Sequence, residues 1–113
     1  MAEKVLISGG AGFIGFHLAK KLCEQGYEVN IMDNFSRAVK DKDLDTLLEN
    51  KNIQSGTIDF LNEKQVDTID GDYSIIFHLA AIIGVSHVLK APYNVLFDNI
   101  RMLANVIDLA KQQ

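Results

Sequence analysis

The sequence predicts part of a doubly wound parallel α/β sheet with its strands in the order 3-2-1-4. Three observations point there. Apolar runs of strand length alternate with helix-period segments along the chain. A glycine-rich turn, Gly9-Gly10-Ala11-Gly12-Phe13-Ile14-Gly15, joins the first run to the first helix. An aspartate, Asp33, closes the second run. Strand–helix–strand units cross over right-handedly, and the winding is expected to reverse between strands 1 and 4.

Each element has its own signal. Lys4 to Ser8 holds Val5-Leu6-Ile7, the continuous apolar run of a strand covered on both faces. The first helix is predicted over Phe13 to Gln25, with Ile14, Leu18 and Leu22 at i, i+4 and i+8 and with Ala19 and Cys23 beside them. Lys20, Lys21, Glu24 and Gln25 face outward, and Gly26 stands where a C-terminal cap belongs. Glu28 to Asp33 is the second strand, carrying Val29, Ile31 and Met32. A polar stretch, Asn34 to Lys42, leads to a short helix around Asp43 to Asn50. Ile53 to Ile58 is a weaker third strand broken by Gly56, and Asn62 is placed to cap a short helix through Ile69. Tyr73 to Ala80 is the fourth and most apolar strand. A loop covers Ala81 to Ala91, and Pro92 opens a last helix that runs to about Lys111.

The 113 residues fit one domain, 1–113, and leave little room for a second, so a substrate domain is expected to be absent from them. Hydrophobic residues make up 48%, enough for a packed core. A net charge of −4 with scattered lysines makes a poor binder of a phosphate backbone, so nucleic acid is not an expected partner. Cys23 stands alone, which excludes a disulfide framework and a cysteine metal pair. The N-terminus leads directly into a strand and no apolar run reaches membrane-spanning length, so a soluble cytoplasmic protein without a signal peptide is expected.

The glycines fit two spacings: Gly10, Gly12 and Gly15 match G-x-G-x-x-G, and Gly9, Gly12 and Gly15 match G-x-x-G-x-x-G. Either is weak alone in a chain with eight glycines, and both gain from the strand before, the helix after and the acid at the end of strand 2. The expected roles follow from position. Gly9 allows the tight turn, Gly12 lets the backbone approach a pyrophosphate, and Gly15 lets the first helix pack on the sheet. The helix dipole adds about half a positive charge there. Asp33 lies 18 positions after Gly15, near the spacing of a ribose-binding acid. Its carboxylate favours NAD over NADP. Against a 2′-phosphate at about 4 Å and an effective dielectric near 20, repulsion approaches about 4 kcal/mol per charge pair before screening. Arg37 pulls the other way, since arginine accepts a 2′-phosphate.

Ser8 to Gly15, then Asp33-Asn34-Phe35-Ser36, then Phe77-His78-Leu79-Ala80-Ala81, resemble the extended short-chain dehydrogenase/reductases, with their Rossmann-type sheet. More narrowly, they are similar to the NAD-dependent epimerase/dehydratase family acting on nucleotide sugars. The resemblance runs from Lys4 onward. It implies that Gly9, Gly12, Phe13 and Ile14, with Gly15 behind them, line the pyrophosphate. It also implies that Asp33 and Asn34 hold the adenosine ribose with Ser36 and Arg37 near it, and that Leu79, Ala80 and Ala81 flank the cofactor. Thr57-Ile58 falls where the family has an acidic and an apolar residue beside adenine; threonine is a departure, and Asp59 is the neighbour able to take its place. Asn99 matches an asparagine that the family places near the active site.

The family's Tyr-x-x-x-Lys pair has no match. Tyr27 is followed four later by Ile31, Tyr73 by Phe77 and Tyr93 by Phe97. No catalytic residue is therefore assigned, and the chain reads as the N-terminal, NAD-binding part of a longer enzyme, inactive alone. The parent is expected to use bound NAD as an internal hydride acceptor and donor on a nucleotide-linked hexose. Two sequence features fit truncation. Ile75-Ile76-Phe77 reads as a strand buried on both faces yet falls at a sheet edge. The last helix is apolar nearly all round, with Val95, Leu96, Ile100, Leu103, Val106, Ile107 and Leu109 as its main set and Phe97, Met102 and Ala110 elsewhere. Self-association through that helix is expected. The alternative is a complete, non-catalytic dinucleotide-binding sensor or interaction module, which requires a polar outer face there. A flavodoxin-like domain would not need the glycine turn together with Asp33.

Of the remaining polar residues, His78 reads as a satisfied core histidine, His17 as a surface helix residue and His87 as a loop residue. Cys23 reads as a buried inert thiol. Ser86 beside His87 lacks an orienting acid, and no metal site is expected.

Overall fold

The computed structural model describes residues 3–34, 42–82 and 89–113, with the backbone alone at 42–44. Four parallel strands form one sheet: β1 (Lys4–Ser8), β2 (Glu28–Asp33), β3 (Ile53–Thr57) and β4 (Ile75–His78). Their order is β3-β2-β1-β4, as the sequence predicts. Val5 is level with Val29 on one side and with Ile75 on the other, and Val29 is level with Ile53. Helices α1 (Phe13–Glu24), α2 (Lys42–Leu48) and α3 (Glu63–Asp67) lie between successive strands, and α4 (Pro92–Lys111) follows the last.

The sheet separates two cores because successive side chains alternate between its faces. Val5, Ile7, Val29, Ile31 and Ile53 pack with Ala19 of α1 and Leu47 of α2. Leu6 points the other way, to Val66 of α3, Met102, Val106 and Leu109 of α4, and Phe60 and Tyr73. From Val5 to Ser8 nothing of β1 is exposed, the burial its apolar run anticipates. Gly26 ends α1 with φ +92°, and the Asn62 side chain caps α3 by accepting from the Gln65 N–H at 3.2 Å.

Four expectations need correction. The fourth strand is shorter than Tyr73 to Ala80. Tyr73 is spent on the second core, where its hydroxyl accepts from Asn30 Nδ2 and its N–H donates to Gln113 Oε1 at 2.8 Å. As the sheet edge, β4 is not buried on both faces, and Ile75 stays 38% exposed. Ile14 does not face the core; it is exposed at the start of α1, and Phe16 packs inward instead. Cys23 is half-buried at the margin of the first core rather than enclosed.

The last helix also turns differently. Met102, Val106 and Leu109 are buried, whereas Leu96, Ile100, Leu103 and Ile107 of the expected main set are exposed. Two half-buried asparagines with backbone partners flank the buried stripe. Asn99 binds Ile82, and Asn105 Nδ2 donates to the Phe60 carbonyl at 2.8 Å. Replacing a buried methionine by alanine costs about 2–5 kcal/mol, and an exposed apolar side chain about 0.5 kcal/mol or less. Met102→Ala should therefore lower unfolding stability by the larger amount in urea titrations and Ile100→Ala by the smaller; equal losses would contradict this packing.

Candidate functional site

Because all four strands run parallel, Ser8, Asp33, Thr57 and His78 end at the same edge of the sheet. The chain leaves β1 toward α1 on one face, while β4 is covered by α4 on the other. In open α/β sheets such a divergence marks the ends of the two strands, here β1 and β4, as the crevice where ligands bind.

The glycine turn is shaped by contacts that forbid side chains. Gly9 has φ +73°, and a Cβ there would lie 2.8 Å from the Ala80 N atom. A Cβ at Gly10 would meet Ile31 Cγ2 at 2.6 Å, and one at Gly15 would meet Gly10 Cα at 2.5 Å. Gly15 thus seats α1 on the turn itself rather than directly on the sheet. Gly12 differs: at φ −76° a Cβ would touch only the Gly9 carbonyl oxygen, at an ordinary 3.6 Å. Nothing in the fold requires glycine at that position. The space beside it is open, as an approaching ligand would need.

Gly12 is the N-cap of α1, with no side-chain cap and no acid in the first turn. The first-turn amides of an α-helix lack intrahelical acceptors, so those of Phe13, Ile14 and Gly15 present donors and positive potential to the crevice. Phe13 and Ile14 are 79% and 68% exposed around them. Edge contacts to Phe13 and Phe16 hold the exposed His17 ring.

Asp33 turns toward this cradle. Its Oδ2 accepts from the Ala11 N–H at 3.1 Å, tying the end of β2 to the middle of the turn. The exposed Asn34 follows. Thr57, also exposed, is level with Asp33, and the Ile58 N–H donates to the Asp33 carbonyl at 3.0 Å. Asp59 builds its own turn: Oδ1 accepts from the Leu61 N–H at 3.0 Å and its N–H donates to Gln65 Oε1 at 2.8 Å. Ser36, Arg37, Ser86 and His87 lie outside the described residues.

The wall opposite is Leu79, Ala80 and Ala81, and sequence reasoning missed what holds it. Ser8, fully buried, is level with His78. Its Oγ accepts from the Leu79 N–H at 3.0 Å and the Ala80 N–H at 3.2 Å, and it lies 2.7 Å from His78 Nδ1. Desolvation holds the His78 pKa below its ordinary 6.5. The Asn99 amide donates to the Ile82 carbonyl at 3.1 Å and accepts from the Ile82 N–H at 2.7 Å, so both its ends are spent on fixing the chain beyond β4. Among the described residues, no three His, Cys, Asp or Glu side chains could hold a metal ion, and no helix is long and apolar enough to cross a membrane.

The profile of the NAD dependent epimerase/dehydratase family matches residues 5–113. A Bacillus cytotoxicus UDP-N-acetyl-alpha-D-glucosaminuronate decarboxylase is 34% identical over 110 residues, covering 97% of this chain and 33% of the relative. The Campylobacter jejuni UDP-Glc/GlcNAc 4-epimerase superposes with a TM-score of 0.87 at 26% identity, over 98% of this chain and 34% of that one. The Thermus thermophilus UDP-glucose 4-epimerase in complex with NAD gives 0.80 at 25% identity, over 96% and 34%. The chain thus spans about a third of the length of each.

Two outcomes test this geometry. Gly15→Ala should destabilise the fold by about 1–3 kcal/mol, as overpacking does, while Gly12→Ala stays within about 0.5 kcal/mol by chemical denaturation. A depressed folded-state pKa at His78 means that the unfolded chain binds more protons below pH 6.5. The stabilisation is therefore complete above that pH and is lost as pH falls through the folded value. His78→Asn should flatten the dependence of Tm on pH in that acidic window.

Proposed function

Because the chain belongs to the NAD dependent epimerase/dehydratase family, we propose that it holds the adenosine and pyrophosphate portion of NAD. The observation that carries this is the open cradle at Gly12, faced by the uncapped amides of α1 and by the Asp33 carboxylate. The Gly12, Phe13 and Ile14 backbone receives the diphosphate, with Gly9 and Gly15 shaping the turn. Asp33 receives the adenosine ribose. A carboxylate has about four acceptor positions, of which the Ala11 N–H takes one. Asn34, Ser36 and Arg37 border the ribose, Thr57 and Ile58 the adenine, and Leu79, Ala80 and Ala81 the far side. Asn99 serves by fixing Ile82.

Bound NAD supplies a hydride acceptor and donor. In the whole protein we place that chemistry at a carbon of a nucleotide-linked sugar, as the names of the decarboxylase and epimerase relatives suggest. No tyrosine here has a lysine four residues later. We therefore assign the 113 residues to cofactor binding, without turnover and without a substrate domain. We also assign the exposed stripe of α4, Tyr93, Leu96, Phe97, Ile100, Leu103 and Ile107, to self-association.

Thermal shift tests the cofactor. A ligand at about 100 times its Kd stabilises by about 2.7 kcal/mol, which in a chain of this size raises Tm by about ten degrees or more. NAD should produce a larger shift than NADP, and Asp33→Asn should narrow the gap. Equal shifts in the wild-type chain would refute the ribose assignment. Size-exclusion chromatography should show an oligomer that Leu103→Glu converts to monomer; a monomeric wild-type chain would remove the self-association.

A further inference from the structure

Ser8 is the one buried polar side chain among the described residues. A hydroxyl has two acceptor lone pairs and one donor hydrogen. The Ala80 N–H donates to Oγ at 3.2 Å, and the Leu79 N–H is shared between Oγ at 3.0 Å and the Ser8 carbonyl oxygen at 2.9 Å. Both of these neighbours are donors, so the hydroxyl hydrogen is left for the third neighbour, His78 Nδ1, 2.7 Å away. In that arrangement Nδ1 accepts and the neutral imidazole carries its proton at Nε2.

We infer that His78 is a positioning residue for the dinucleotide, acting through Ser8 on the wall of the crevice. This rests on the cofactor reading above and concerns a residue that the reading does not place against the cofactor. The relay can be followed atom by atom. His78 orients the Ser8 hydroxyl, and the hydroxyl holds the Leu79 and Ala80 amides. The Ala80 backbone leaves Gly9 no room for a Cβ. Gly9 is held from the other side, where its N–H donates to the Met32 carbonyl at 2.8 Å. Two residues on, the Ala11 N–H meets Asp33 at 3.1 Å. A shift at Ala80 therefore moves the turn that carries Gly12 and changes its relation to Asp33. The wall and the two binding groups keep their spacing only while the hydroxyl points at an accepting nitrogen.

The test combines spectroscopy with affinity. Long-range ¹⁵N spectra of the labelled chain at neutral pH should show His78 protonated at Nε2 with Nδ1 accepting. His78→Leu removes the acceptor and should weaken NAD binding about tenfold by calorimetry, as expected for a buried hydroxyl left without its partner. His78→Asn offers Oδ1 near the position of Nδ1 and should recover affinity to within about threefold of the wild type, in keeping with a restored neutral hydrogen bond. Ser8→Ala should match His78→Leu in affinity and release the tautomer preference. Binding within about twofold of wild type in His78→Leu, less than the loss of one hydrogen bond, would overturn the role. So would a proton on Nδ1, or an equal loss in His78→Asn. If His78→Leu does not fold, the tautomer and the His78→Asn affinity decide. A wild-type chain that binds no NAD overturns the cofactor reading and this role together, whereas a wild type that binds with indifferent variants overturns only the role.

Discussion

Three missing β-carbons hold this molecule together at one point. Gly9 lies against the backbone of Ala80, Gly10 against Ile31, and Gly15 against Gly10. Through these contacts the segment after β4, the middle of β2 and the start of α1 all converge on the turn Gly9 to Gly12 that joins β1 to α1, and the gaps are too small for even a methyl group. Interiors at organic-crystal density do not absorb such intrusions by small general adjustments. The turn is therefore rigid because its neighbours cannot retreat. A rigid turn is what allows a row of backbone amides to be presented to solvent without collapsing onto a nearer acceptor.

The same groups serve fold and site together. Asp33 closes β2 and, by accepting from Ala11, neutralises one donor of the turn while keeping a negative charge beside it. Ser8 finishes β1 and satisfies two amides where β4 leaves the sheet. Asn99 does likewise for Ile82, giving α4 a polar grip on a segment that has left the ladder. Side chains at the carboxyl edge thus add to the backbone partners or stand in for them where the ladder ends: the Leu79 N–H still reaches the Ser8 carbonyl at 2.9 Å, whereas the Ala80 N–H has the hydroxyl. Parallel sheets put that edge where the crevice opens, so polar groups accumulate there for structural reasons before any ligand arrives. Gly12 stands apart from this economy. The chain makes no use of its missing side chain, and that separates it from the other glycines of the turn.

Much of this was legible in the sequence. The parallel sheet followed from alternating elements and right-handed crossovers, and its order from the doubly wound pattern with a switch point between strands 1 and 4. The turn and Asp33 could be placed because glycine spacing and a strand-terminal acid are local signals. What escaped was non-local. Ser8 and His78 are 70 positions apart and become neighbours only through the β1–β4 register. The inward face of α4 was misjudged because Asn99 and Asn105 interrupt its apolar period, and their partners, Ile82 and Phe60, cannot be seen from the helix alone. Ile14 fitted an amphipathic period that the first turn of α1 does not obey, since that turn projects past the sheet. Asp59 looked available for a ligand until its own turn claimed one of its oxygens.

The surfaces left uncovered are of two physical kinds. Along β4, one side of the backbone has no strand beside it among the described residues, and what it lacks is directional: a row of donors and acceptors at strand spacing. Along α4 the lack is not directional. Six large apolar side chains from Tyr93 to Ile107 lie exposed on one stripe, opposite the stripe that Met102, Val106 and Leu109 bury. An extended segment satisfies the first and contributes little to the second; another apolar helix face satisfies the second and leaves the first open. Proteins that leave such surfaces in water blunt them, with charges on the edge and polar residues on the helix. Among the described residues neither is blunted, and Ile75 stands exposed on the edge strand itself. The two surfaces therefore differ in what could cover them, a strand for the edge of β4 and an apolar helix face for the stripe of α4, and the edge of β4 borders the carboxyl-end region where Leu79 and Ala80 meet the glycine turn.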